Sequence, residues 1–256
     1  MPQGDINLQR AIIQKFNQDQ SGLIVPVSTS TTQMTAAIVT KKPIVSLAST
    51  FSEADREQRS VKNITNVDDE SGVAMGMKFC FAAIPNLHKV TIIHSASDKI
   101  MPEVETFIVA AKANGIEVQD LMIQQLPELY LASSRIAEDS QAIFILKDNL
   151  VASGINTLVN VADKKHLPLI SSDNATVERG AAFALGIKES QIGVEGAKLA
   201  AQVLRGGDIR KISIKVLDEF FIFVNKDAVA KQGLNLDEIK NTAKKQNYPV
   251  IILGEE

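Results

Sequence analysis

The sequence has no tryptophan, only two tyrosines and a single cysteine, Cys80. A lone cysteine excludes an internal disulfide, and with His88, His94 and His166 as the only histidines there is no zinc-ligand spacing. The cysteine usage leaves the redox compartment open, because proteins without disulfides occur on both sides of a membrane. Charge of one sign is also scarce: 27 basic residues face 30 acidic ones, a formal net charge of −3. Phosphate-tracking surfaces need a basic excess, so a nucleic-acid partner is not expected. No apolar run approaches the roughly 18 residues of a membrane-spanning helix. The opening Met1-Pro2-Gln3-Gly4-Asp5 has no basic stretch followed by an apolar core, so no signal peptide is expected in the chain as given. Also missing are Gly-x-Gly-x-x-Gly after the first strand, Gly-x-x-x-x-Gly-Lys-Ser/Thr and a Gly-x-Ser-x-Gly elbow, so no nucleotide cofactor and no familiar nucleophile is indicated.

What is present is an ordinary globular composition, 45% apolar and 22% charged over 256 residues, enough for one large domain or two lobes. Short apolar runs recur at Leu23–Val27, Pro43–Leu47, Val90–His94, Val118–Ile123, Ala142–Leu146, Pro168–Ile170, Ile212–Val216 and Phe220–Val224. Between them the period switches to helical: Val73, Met77, Cys80, Phe81 and Ile84 share one face, as do Val104, Phe107, Ile108 and Ala111. Pro102 and Gly115 punctuate the second of these helices, and Gly206-Gly207 stops another that runs from about Ser190 to Arg205. Strands apolar on both faces and joined by helices predict an α/β fold with parallel sheets covered on both sides. The polar stretch from Ser49 to Glu70 reads as a crossover between two lobes, with a long surface loop in one domain as the alternative.

Chemistry is expected where the strands end. Val27 leads into Ser28-Thr29-Ser30-Thr31, Leu47 into Ala48-Ser49-Thr50, His94 into Ser95, Leu146 into Lys147-Asp148-Asn149, and Ile170 into Ser171-Ser172-Asp173. Open α/β sheets bind ligands beyond the carboxyl ends of their strands, where helix N-termini present free amides. The first two loops suit a carboxylate, and Asp148 and Asp173 suit an ammonium group. The same residue types are also the preferred helix N-caps, so plain capping is the competing reading for each loop. His94 is either a ligand contact or a packed strand-end residue. Cys80, on the apolar stripe of its helix, reads as an inert core thiol. Asp68-Asp69 and Glu255-Glu256 are sequence neighbours whose side chains point apart, so neither is an acid/base pair.

The segment Ser172-Asp173-Asn174-Ala175-Thr176-Val177-Glu178-Arg179-Gly180-Ala181 resembles the Ser-Asp, Val-x-x-Gly-Ala signature of ABC-transporter substrate-binding proteins with the type I periplasmic-binding fold, a family that includes tryptophan and tyrosine binders. Gln3-Gly4-Asp5, Leu23-Ile24-Val25, Pro43-Ile44-Val45, Asn63-Ile64-Thr65, Asp148-Asn149, Ala184-Leu185-Gly186 and Asp208 after its two glycines follow in family order, over nearly the whole chain. The resemblance implies two Rossmann-like lobes, residues 1–66 with 187–208 and residues 67–186 with 209–256, closing on a small ligand in the cleft between them. It implies an extracytoplasmic binding protein, not an enzyme, whose partners are an ABC permease and ATPase and whose ligand is an amino acid, aromatic in some members. The implied ligand contacts are Ser28, Thr29, Ser30, Thr31, Ser49, Thr50, Phe51, His94, Ser95, Asp148, Asn149, Ser172 and Asp173, with no cofactor and no metal.

Three departures qualify that picture. The family normally opens with a strand, a helix and a second strand ahead of Gln3, so the first lobe is expected to be incomplete, with an exposed sheet edge open to dimerisation. Phe51-Ser52 stands where members often carry Asp-Pro, exchanging a carboxylate for an aromatic surface. Lys147 adds a positive charge beside Asp148, which would suit an acidic ligand instead. The competing functions are a sensory module of the same fold, an enzyme using a hydroxyl of the Ser/Thr loops with His94 as base, and a degenerate member that binds nothing.

Overall fold

The computed structural model describes residues 6–50, 52–58, 61–68 and 72–254. In chain order its elements are α1 (Ile6–Gln18), α2 (Thr29–Ile38), β1 (Ile44–Leu47), α3 (Glu53–Gln58), β2 (Ile64–Asp68), α4 (Val73–Ala83), β3 (Lys89–Ser95), α5 (Met101–Ala113), β4 (Glu117–Ile123), α6 (Glu128–Ser134), β5 (Ile143–Ile145), α7 (Asn149–Ser153), α8 (Ile155–Lys165), β6 (Leu169–Ser171), α9 (Asn174–Glu178), β7 (Phe183–Gly186), α10 (Glu189–Leu204), a 3-10 turn (Ile209–Lys211), β8 (Lys215–Val216), β9 (Phe221–Asn225), α11 (Lys226–Lys231), α12 (Leu236–Lys245) and β10 (Val250–Leu253). Among the described residues no helix is long and apolar enough to cross a membrane.

The chain divides into two compact units, Met1–Glu70 with Ile187–Glu219 and Ser71–Gly186 with Phe220–Glu256. Residues 209–219, expected with the second lobe, belong to the first. The reason is β8, whose Lys215 and Val216 pair with Val67 and Asp68 of β2. The polar stretch 49–70 is not a bare crossover either, since it holds α3 and β2. Every residue of β2 is buried.

In the first unit, parallel strands run in the order β1-β2-β8. Leu23–Val27, expected as a strand, contributes only the bridges Ile24 to Ile44 and Val27 to Leu47. Pro26 in its middle has no N–H to give to the ladder. Ile13, Ile24, Ala36, Val39, Ile44 and Ile64 pack on one face of the sheet, while Val45, Val203 and Ile212 pack on the other. Neighbours Ile44 and Val45 thus point to opposite, covered faces, as a parallel sheet between helices requires. Gly196 of α10 makes that packing close, because a Cβ there would collide with Leu47.

The second unit is a seven-stranded sheet in the order β10-β9-β7-β6-β5-β3-β4. All its pairs are parallel except β7 with β9, where Phe183 faces Val224 and Gly186 faces Phe221. The sequence reading expected parallel strands throughout. The chain leaves this unit after Gly186 and returns at Phe220, so its first returning strand begins opposite the end of β7 and must run back along it. Phe79 and Phe183 meet edge to face at 5.7 Å within the core. Cys80 is 3% exposed, and burial pushes its thiol well above the ordinary range, as the reading of an inert core thiol requires.

Candidate functional site

In the first unit the strand ends carry strained backbone. Ser28 has φ 86° and Ala48 has φ 49°, one following Val27 and the other following Leu47. Neither is glycine or asparagine, and such residues cost on the order of 1–3 kcal/mol where they occur, typically at functional sites. The Ser28 N–H donates to the Leu47 carbonyl at 3.0 Å, which fixes the turn into α2. The side chain of Ser28 does not cap that helix; its hydroxyl donates instead to Thr31 Oγ1 at 3.1 Å and lies 3.4 Å from Ser30 Oγ. Thr29 Oγ1 accepts the Thr50 N–H at 3.2 Å and lies 3.3 Å from Thr50 Oγ1. The two hydroxyl-rich loops are therefore tied together.

Beneath them lie Ser49 and Asn66, both fully buried. The Asn66 Nδ2 donates to the Ser49 carbonyl at 2.8 Å, and the Ser49 N–H donates to the Val67 carbonyl at 3.3 Å. Among the described residues, the buried side-chain oxygens without a hydrogen-bond partner are Ser49 Oγ, Asn66 Oδ1, Ser172 Oγ and Gln191 Oε1. Native proteins rarely leave such atoms unmatched. Ser49 follows the end of β1 by two residues and Ser172 follows β6 directly, while Asn66 is the middle residue of β2. Asn66 was missed by sequence reading, although asparagine inside a strand is unusual enough to have been a signal.

In the second unit the acidic residues are already engaged. Asp148, 3% exposed, accepts the Ser95 N–H at 2.6 Å on Oδ2. Its Oδ1 accepts the N–H of Leu150 at 2.9 Å and of Val151 at 3.4 Å. Asp173 accepts the Thr176 N–H at 2.9 Å and the Ser171 hydroxyl at 3.2 Å. Both are helix N-caps, one starting α7 and the other α9. Asn149, the first residue of α7, is exposed, while Ser172 is buried. His94 is buried and turned toward β4: Nε2 lies 2.7 Å from Asp120 Oδ1 and Nδ1 lies 2.8 Å from the Ser95 carbonyl oxygen. Phe51 lies outside the described residues.

No group of side chains with metal-ligand composition occurs among the described residues. A cavity of about 730 Å³ in the first unit is lined by residues such as Ala36, Thr40, Lys62 and Arg210. It sits where β1 and β2 begin, away from every expected site residue, and its lysines lie beside the carboxyl end of α2, where cations are normally favoured.

Residues 2–246 match the family model described as ABC transporter substrate binding protein. A protein of Rickettsia prowazekii, Uncharacterized protein RP367, is 33% identical over 234 residues, which is 91% of this chain and 74% of the relative. The tyrosine-binding protein of Clostridioides difficile is 27% identical over 255 residues, 96% of this chain and 73% of the relative. Among solved structures, an ABC domain from Streptococcus pneumonia in complex with L-Trp has the same fold, with a TM-score of 0.80 at 23% identity, covering 97% of this chain and 87% of that one.

Proposed function

The chain belongs to the ABC transporter substrate-binding protein family, and we propose that within it this protein binds an aromatic amino acid and delivers it to an importer. The observation that carries this reading is the pair of buried, unpartnered oxygens on Ser49 and Asn66 of the first unit. Polar atoms held out of water without a partner call for an incoming one, and Ser49, whose carbonyl Asn66 holds, lies just past the carboxyl end of β1, where α/β sheets take small ligands. The aromatic class is supported by a relative that is a tyrosine-binding protein and a structural neighbour holding L-Trp. In this reading the α2 amides and the hydroxyls at Ser28–Thr31 and Ser49–Thr50 receive the carboxylate. The protein acts by binding alone, outside the cytoplasm, with an ABC permease and ATPase as partners. An acyl-transfer enzyme would need a free base, whereas both ring nitrogens of His94 are engaged.

A thermal-shift screen of the purified chain against the twenty amino acids tests the reading. A ligand at about a thousand times its dissociation constant adds on the order of 4 kcal/mol of stability, which moves the melting temperature by several degrees. L-Tyrosine or L-tryptophan is expected to give the largest shift. A screen in which no amino acid raises the melting temperature overturns the proposal.

A further inference from the structure

Resting on the amino-acid reading above, we infer that Asn66 recognises the ligand's amino nitrogen and that the neighbouring Ser49 hydroxyl donates to its carboxylate. The orientation of the Asn66 amide follows from its surroundings. The Ser49 carbonyl can only accept, so the amide nitrogen faces it at 2.8 Å and Oδ1 is left as an acceptor. That oxygen is buried and has no partner in the protein. The adjacent strand residue shows the contrast: the Thr65 hydroxyl donates to the Ser213 carbonyl at 3.2 Å, so its polarity serves the fold. The acceptors that sequence reasoning assigned to an ammonium group, Asp148 and Asp173, already take protein N–H and O–H donors. Asn66 Oδ1, by contrast, has no protein donor and takes the ligand N–H. Ser49 Oγ, equally unpartnered, is on the residue whose carbonyl Asn66 holds, and supplies a donor. An unpartnered acceptor and an unpartnered donor on two hydrogen-bonded residues match an α-amino acid with a free amine and reject a deaminated or N-acylated analogue.

Calorimetric titration of the wild type, Asn66→Leu and Ser49→Ala with L-tyrosine, L-tryptophan and 3-(4-hydroxyphenyl)propionate tests this assignment. The wild type is expected to prefer the amines by about a hundredfold or more, since a site built to hydrogen-bond a group discriminates strongly against its absence. Asn66→Leu is expected to weaken amino-acid binding by at least about tenfold while leaving the deaminated acid unchanged, so that the preference collapses. Ser49→Ala is expected to keep the ligand-free melting temperature, because its hydroxyl makes no bond there to lose, and to weaken all three ligands. Should Asn66→Leu fail to fold, Asn66→Ser, read by the same loss of amine preference, carries the test of Asn66, and Ser49→Ala that of the hydroxyl. Undiminished amine preference in Asn66→Leu, or undiminished affinity in Ser49→Ala, overturns the assignment while the functional reading stands. A wild type that binds neither amino acid overturns both.

Discussion

The buried carboxylate of Asp148 joins two elements: it accepts the Ser95 N–H at the end of β3 at 2.6 Å and the Leu150 N–H at the start of α7 at 2.9 Å. Two short acidic caps of this kind, Asp148 and Asp173, hold the strand-end loops of the second unit in place. Each fixes the loop that follows its strand, β5 for Asp148 and β6 for Asp173.

Asp148→Ala is therefore expected to destabilise the free protein by about 2–4 kcal/mol, combining a lost N-cap with a buried Ser95 N–H left without its charged acceptor. Asp148→Asn, which can keep one acceptor oxygen, is expected to cost less. Urea denaturation of the ligand-free proteins checks both, and an Asp148→Ala variant as stable as the wild type would contradict the capping geometry.

Much of the fold could be read before the structure. The helical stripe through Met77 and Cys80, the helix between Pro102 and Gly115, and the stop at Gly206-Gly207 follow from side-chain period and punctuation. β2 escaped because Thr65 and Asn66 interrupt its apolar pattern, and those polar residues are buried for reasons that pattern alone does not carry. The reversed direction of β9 escaped too, since it depends on where the chain re-enters the sheet. At the site, hydroxyl-rich strand ends were legible from residue type. Which of those groups also cap helices is decided by hydrogen bonds that residue type does not show, as at Asp148 and Asp173, and the unpartnered Asn66 lies inside a strand, where no loop pattern marks it.

Cys80 provides a test of the core. Its thiol is buried and its ionisation is suppressed by burial, so thiolate formation and reagent access are both blocked. Native protein is expected to leave Cys80 unmodified by a disulfide exchange reagent, with one thiol per chain appearing on addition of denaturant. Rapid labelling without denaturant would contradict the packing of α4.

The end of α1 gives a pH-dependent test. Lys42 donates to Asp19 Oδ1 at 2.8 Å and to the Asp19 carbonyl at 3.0 Å, and with Ser21 it lowers the Asp19 carboxyl from its ordinary 3.8 to about 2. A carboxylate lowered on folding stabilises the native state above its unfolded value and loses that contribution as pH falls through the folded one. Asp19→Asn is thus expected to melt below the wild type at neutral pH, with the gap closing as pH falls from 3.8 to about 2. The gap should also narrow in high salt, because the Asp19 carboxylate is exposed. A gap that persists unchanged at the acid end would contradict the ion pair.

The absence of tryptophan from the chain makes the central claim directly measurable, since indole emission in a mixture with L-tryptophan comes from the ligand alone. Titrating the protein into L-tryptophan and following emission wavelength and anisotropy, then adding L-tyrosine as competitor, reads binding without background. The account predicts a blue shift and a rise in anisotropy that saturate at one ligand per chain and reverse with L-tyrosine. Emission that stays at the free-ligand value at every protein concentration, together with no change in melting temperature on adding L-tyrosine, would contradict it.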